Sequence, residues 1–252
     1  MMTASILITG ASSGLGAALA EIYAAPGVTL FLGGRSQERL DSVAMLCRAR
    51  GAEVRVEALD ITDRAGTEAW VLACDAERPL TLVIANAGVS GGTGNKLGET
   101  AEQTRMIFGA NLDGVMNTVL PIIPRMQARR SGQIALMSSQ AGFRGMPGAP
   151  AYCASKAAVR VWGEGMRGFL ARDGVGVTVI CPGFVETAMT AKNRFSMPFL
   201  MGAAQAAAIM KKGIDANKAR LAYPWQMSFV TWLLAALPPA WTDGLLARSP
   251  AK

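Results

Sequence analysis

Seven short apolar runs, separated by longer amphipathic stretches, restrict the fold of this chain more than any other feature of its sequence. They fall at Ser5–Thr9, Val28–Leu32, Glu53–Ala58, Leu80–Ala85, Gln133–Met137, Val175–Cys181 and Leu221–Tyr223. Strands that are apolar on both sides, rather than alternating, belong in a sheet covered by helices on both faces. Strand-length and helix-length segments in alternation are the pattern of βαβ units on a parallel sheet. Helices are predicted over Gly14–Ala25, Gln37–Ala49, Arg64–Ala76, Glu102–Arg129 and Tyr152–Asp173, the fourth bent by Pro121 and Pro124. From Glu186 to Gly202 no period is clear, and beyond Tyr223 the chain turns apolar and tryptophan-rich.

No Pro/Gly/Ser-rich linker divides the 252 residues, so one domain is expected over 1–252, with 186–252 as a variable substrate lid and C-terminal segment. The absence of histidine excludes Ser-His-Asp catalysis. Cys47, Cys74, Cys153 and Cys181 lack metal-ligand spacing, which argues against zinc or a disulfide framework and fits a reducing compartment. The formal charge of +7 is spread along the chain, as a solvated basic surface would be, so no nucleic-acid partner is expected. With no leader pattern and no apolar run of spanning length, a soluble, cytoplasmic protein is expected.

The first strand runs into Gly10-Ala11-Ser12-Ser13-Gly14-Leu15-Gly16, which opens a helical pattern. Gly10 allows a sharp turn off the strand, and Gly14 leaves room for a pyrophosphate against the backbone. Gly16 lets the helix pack close, with its N-terminal N–H groups facing the phosphates. This is the physics of a dinucleotide site. The second strand ends in Gly33-Gly34-Arg35-Ser36, where an acidic residue would bind the adenine ribose and repel a 2′-phosphate. Glycine followed by arginine favours NADP(H) over NAD(H).

Seven motifs in order, TGASSGLG, the Asp60 of LDITD, ANAG (Ala85–Gly88), Asn111 of NLDG, MSSQAG (Met137–Gly142), YCASK (Tyr152–Lys156) and PGFVET (Pro182–Thr187), resemble the short-chain dehydrogenase/reductase family over about Thr3 to Met189. The resemblance implies a Rossmann-type doubly wound parallel sheet, a nicotinamide cofactor and an oxidoreductase acting on a carbonyl/alcohol pair. It marks Asn111, Ser139, Tyr152 and Lys156 as catalytic. Tyr152 and Lys156, four apart, share a helix face, so the ammonium, together with the positive charge of an oxidised nicotinamide, can lower the phenol's pKa and make it usable as acid or base. Ser139 rather than Ser138 is chosen because it precedes Tyr152 by the family's interval, and its hydroxyl meets the substrate oxygen. In the family the asparagine anchors a water that relays protons to the lysine, and the lysine holds the nicotinamide ribose. The same resemblance places Asp60 and Ile61 at the adenine, Asn86, Ala87 and Gly88 at the cofactor crevice, and Pro182, Gly183, Val185 and Thr187 at the nicotinamide.

Met146, Met189, Phe195, Met197, Phe199 and Met201, in loops past the strand ends, point to an adaptable apolar substrate pocket. Arg144, Lys192 and Arg194 are solvated lid charges or partners for an anionic group. The stretch Ala222–Trp241 could cap that pocket, bury a subunit contact or rest on a membrane surface. A homodimer through Glu102–Arg129 and Tyr152–Asp173 is expected from the family, with Gly163, Gly165 and Gly168 permitting close helix approach. A tetramer is left open, since the family's glycine-rich terminal strand is not recognisable. The alternative function is a non-catalytic NADP(H)-binding sensor or scaffold protein.

Overall fold

The computed structural model describes residues 4–91, 99–193 and 195–247. Seven parallel strands stand in the order β3-β2-β1-β4-β5-β6-β7. They are β1 (Ala4–Thr9), β2 (Val28–Gly34), β3 (Glu53–Ala58), β4 (Leu82–Ala85), β5 (Gly132–Met137), β6 (Val175–Pro182) and β7 (Arg220–Tyr223). The order reverses between β1 and β4, and the strand ends open a crevice there.

Successive strand residues feed opposite faces of the sheet. Ile6 and Ile8 join Leu30, Leu32, Leu82 and Ile84 on one face. There they meet α1 (Gly14–Tyr23), α2 (Gln37–Ala49) and α8 (Ala203–Asp215). Leu7, Phe31, Val83, Ile134 and Leu136 line the other face with residues of α3 (Arg64–Glu77), α5 (Gly114–Val119), α6 (Ile123–Ala128) and α7 (Pro150–Ala171). The continuous apolar strands are therefore covered twice, except at the edge strand β3, where Glu53, Arg55 and Glu57 alternate with Val54 and Val56, stay exposed, and correct the expectation of a seventh apolar run. Helix α8 lies in a stretch where no helix is predicted, burying Ala206, Ala207, Met210, Gly213 and Ile214.

The expected single helix Glu102–Arg129 is divided. It comprises α4 (Ala101–Phe108), a π-helical turn Gly109–Asp113, α5, and then α6 with Pro124 in its first turn. A turn at residues 120–122 around Pro121 separates the last two, so proline breaks the helix rather than bending it. By length and composition the run Ala101–Ala128 could cross a membrane, which its sequence pattern did not suggest. Its Ile107, Val115, Val119, Ile122, Ile123 and Met126 are spent in the core.

Gly163 has a different role from the expected one. A Cβ there would stand 2.6 Å from Leu136 Cδ1 and Val179 Cγ2, so this glycine seats α7 on the sheet, whereas Gly165 and Gly168 face open space. The C-terminal helices α9 (Trp225–Ala236) and α10 (Pro239–Leu246) leave Trp225, Trp232 and Trp241 exposed, which turns all three away from the cleft. The tryptophans therefore do not cap the pocket.

The approach to β4 is fixed by a buried ion pair. Asp75 Oδ1 accepts from Leu80 N (2.8 Å) and from Arg129 Nη1 (2.7 Å), and Arg129 Nη2 donates to Leu80 O (2.6 Å). Asp75→Ala leaves Arg129 Nη1 and the Leu80 N–H without their acceptor, and should cost about 3 kcal/mol in chemical denaturation.

Candidate active site

The strand ends enclose a cleft of about 630 Å³. Gly10, Ser12, Ser13, Gly14, Leu15 and Gly16 form one wall, with Gly34 and Arg35. Asp60 and Ile61, then Asn86, Ala87 and Gly88, follow along it. Ser139, Tyr152, Lys156, Pro182, Gly183, Val185 and Thr187 complete the opposite end. Two sequence-predicted residues do not reach the cleft. Ser36 instead caps α2, its hydroxyl accepting from Arg39 N at 3.5 Å. Asn111 lies behind the cleft wall.

The glycine loop's own packing admits only glycine at these positions. A Cβ on Gly16 would lie 2.2 Å from Gly10 O and 2.6 Å from Asn86 Nδ2. Gly10 and Gly14 have φ of +68° and +57°, in the left-handed region that glycine adopts without strain. A Cβ on Gly14 would also press on Thr187 Cγ2 at 3.0 Å. Asn86 fixes the loop from the far side, its Nδ2 donating to Thr9 O (3.0 Å) and Gly10 O (3.3 Å). The N-terminus of α1 then faces the cleft with Ser12 and Ser13 ahead of it. These residues would hold the pyrophosphate.

At the adenine end, Asp60 Oδ1 accepts from the backbone N–H (2.9 Å) and hydroxyl (2.8 Å) of Thr62. Those bonds, with a smaller push from Arg35, hold the carboxyl below its usual range. Ile61 is packed by Gly114, where a Cβ would come within 2.4 Å of its Cδ1. Arg39 also lines the cleft, and the sequence reading missed it. Arg39 stands in the first turn of α2 while Arg35 precedes the helix, so no shared helix face marked the pair in the sequence. At the far end, the Val185 carbonyl is taken by the Thr190 hydroxyl at 2.6 Å.

The expected catalytic groups stand where β5 meets α7. Lys156 is 4 % exposed, and its Nζ donates to Met137 O at 2.9 Å, 5.9 Å from the centroid of the Tyr152 ring. Ser138 Oγ donates to Lys156 O at 2.7 Å, while Ser139 shares a hydrogen bond with Tyr152. The neighbouring serines are thus divided between scaffold and site. Asn111 is held on both ends of its amide: Oδ1 accepts from Val89 N (2.7 Å), and Nδ2 donates to Val89 O (2.9 Å) and Ser155 Oγ (3.0 Å). The π-helical turn carries it to this position.

One electrostatic expectation is corrected. Burial, not Lys156, dominates the tyrosine, pushing its phenol above the ordinary value against the lowering effect of the Ser139 bond. The same burial brings the Lys156 ammonium down to about 8. With the chain's own groups alone, the Tyr152 phenol keeps its proton at neutral pH. Burial also pushes the Cys181 thiol up to about 11, as for a packing residue.

The loop residues expected to build an apolar substrate pocket are largely used elsewhere. Met189 lines the cleft, as do Ala188, Val89 and Met106. Met146 lines a separate cavity, Phe195 packs edge-on against Phe184, Asn193 Nδ2 contacts Met197 Sδ, and Phe199 is exposed. Met201 bridges to Val185 and packs on the core. Arg144 pairs with Asp243 of α10 at 2.8 Å. The Lys192 side chain and Arg194 lie outside the described residues.

Lys156 supplies a pH test. Its amine titrates near 8 when folded and near 10.5 when free, so between those values the unfolded chain holds the extra proton and stability rises with pH. The stability difference between wild type and Lys156→Met should therefore shift toward wild type by about 1 kcal/mol from pH ~7 to ~9, measured by denaturant titration.

Comparison with known proteins agrees with this geometry. A family model described as short chain dehydrogenase matches residues 4–197. An uncharacterized oxidoreductase of Myxococcus xanthus is 41% identical over 243 residues, 96% of each chain. The ketoacyl reductase HetN of a Nostoc species is 34% identical over 200 residues, 79% of this chain and 69% of the relative. Among solved structures, a short chain dehydrogenase/reductase of Burkholderia phymatum in complex with NAD is 25% identical, with a TM-score of 0.84, covering 100% of this chain and 97% of its own. One from Sphingobium yanoikuyae in complex with NADPH is 26% identical, with a TM-score of 0.81, covering 98% and 96%.

Proposed function

Given that this chain belongs to the short-chain dehydrogenase family and is an oxidoreductase, we propose that it interconverts a ketone or aldehyde and its alcohol, using NADP(H). The observation that carries the reading is the Tyr152 phenol in the cleft wall, bonded to Ser139 and one helical turn from Lys156.

When bound, the cofactor supplies or accepts a hydride. In the reductive direction the substrate oxygen lies between the hydroxyls of Ser139 and Tyr152. Ser139 donates a hydrogen bond as negative charge grows on that oxygen. Tyr152 gives it the proton that completes the alcohol. The Lys156 ammonium, when protonated, favours the phenolate left behind. Asn111 takes no direct part, holding the Val89 backbone and Ser155 of α7 in place behind the lysine.

NADP(H) is supported by the absence of a carboxylate at the end of β2 and by the two guanidinium groups, Arg35 and Arg39, that line the cleft. An apolar substrate is supported by Met106, Val89, Ala188 and Met189 at the cleft wall, and the ketoacyl reductase relative is consistent with a ketone. A homodimer is supported by exposed Leu120, together with Val161 and Phe169 on α7.

A panel of acetophenone, cyclohexanone and nonan-2-one, with NADPH and with NADH, tests the activity by the absorbance of the reduced cofactor. Turnover is expected with NADPH, and Tyr152→Phe should lower it at least about 1000-fold while still binding NADPH. Full activity in that variant would refute the acid–base assignment. Arg35→Ala should raise the NADPH Kd about tenfold and leave that for NADH within about twofold. Equal loss for both cofactors would refute the phosphate contact.

A further inference from the structure

Gln140 follows Ser139 directly in the chain and is 1 % exposed, although glutamine is rarely buried. It does not line the cleft. Its Nε2 donates to Tyr223 O (2.9 Å) and Ser228 Oγ (2.8 Å), and approaches Pro224 O at 3.3 Å. Two carbonyl oxygens and a hydroxyl around the nitrogen fix the orientation of the amide, because turning it over would set oxygen against carbonyl oxygen. Its Oε1 is buried without a partner among the described residues. An unpaired buried acceptor costs about 1–3 kcal/mol, so the site retains the amide for its N–H groups despite a penalty.

The acceptors join the catalytic turn to both edges of the site. Tyr223 O also accepts from Gly183 N at 2.8 Å, and Gly183 lines the cleft beside Pro182. Ser139 Oγ stands 3.5 Å from Pro182 O and accepts from Ala141 N at 3.1 Å. Ser228 belongs to α9, and on the same helix Met227 Sδ lies 2.9 Å from where a Gly183 Cβ would be. The ends of β5 and β7 and the start of α9 thus converge on one carboxamide, and the end of β6 joins them through Gly183 N on Tyr223 O.

We propose that Gln140 is the positioning residue for Ser139: its amide ties the turn after β5 to the β7–α9 junction and so sets the serine hydroxyl against Tyr152 and the substrate oxygen. The inference rests on the assignment of Ser139 and Tyr152 made above. Gln140 touches neither substrate nor cofactor. A misplaced hydroxyl affects the reacting geometry more than it affects cofactor binding.

Gln140→Met keeps the volume and removes the amide. With the best ketone of acetophenone, cyclohexanone and nonan-2-one, its kcat should fall about 10-fold to 100-fold while the NADPH Kd stays within about twofold. In a Ser139→Ala background the same change should cost less than about twofold, because the hydroxyl it positions is gone. A merely structural role would instead give equal losses in the two backgrounds, and that additivity overturns the proposal, as does an unchanged kcat. If Gln140→Met does not fold, Ser228→Ala removes one acceptor of the same network. It should lower kcat about threefold to tenfold, again only when Ser139 is present, and no loss overturns the proposal. Wild-type turnover that survives Tyr152→Phe, or no wild-type turnover at all, removes the catalytic reading and this inference with it. Normal Tyr152 dependence with additive Gln140 effects removes the inference alone.

Discussion

Lys156 holds β5 against α7 with both ends of its residue. Its ammonium donates to the Met137 carbonyl, and its own carbonyl accepts from Ser138. Because α7 carries Tyr152 one turn earlier and Ser139 follows Ser138, this double clasp sets the distance between the two hydroxyls that would meet the substrate. It also requires a buried ammonium. That burial keeps the amine near 8, close to the pH at which a proton-handling group is most useful.

Around the clasp, the other features act as supports. Asn111 sits at the π-helical turn and binds Val89 and Ser155, so the loop after β4 and the first turns of α7 move together. Gly88 leaves the space it needs, since a Cβ there would stand 2.8 Å from Asn111 Oδ1 and 3.3 Å from Lys156 Nζ. The glycine loop supports the other half of the cleft through Asn86, which reaches back to the carbonyls of β1's end. A cleft between two halves of a sheet is in this way made rigid from behind.

The sheet was legible in the sequence because its strands, β3 apart, are short apolar runs between longer amphipathic ones, and the cleft because its motifs keep fixed intervals. What was not legible depends on contacts between distant residues. Helix α8 buries small residues such as Ala206 and Ala207, whose size gives little periodic contrast. The π-helical turn is a shift in backbone hydrogen bonds, which side-chain pattern does not record. Ser36 looked like a phosphate ligand but caps α2, and Arg39 was passed over although α2 brings it to the cleft. The methionines and phenylalanines of the last third looked like a pocket lining. Most of them instead pack the loop onto itself or onto the core. That burial raises the Tyr152 phenol in the chain by itself was also not legible, because burial can be judged only once the helix is seated on the sheet.

The central claim is that Tyr152, kept protonated by its surroundings, donates the proton during carbonyl reduction. The pH dependence of kcat/KM for NADPH-driven ketone reduction tests it most directly, because protonated Tyr152 and charged Lys156 are both lost toward alkaline pH. The profile should be flat through neutral pH and fall on the alkaline side, from about the value where Lys156 titrates. A profile that instead falls on the acid side, with a base as the essential group, would contradict the account.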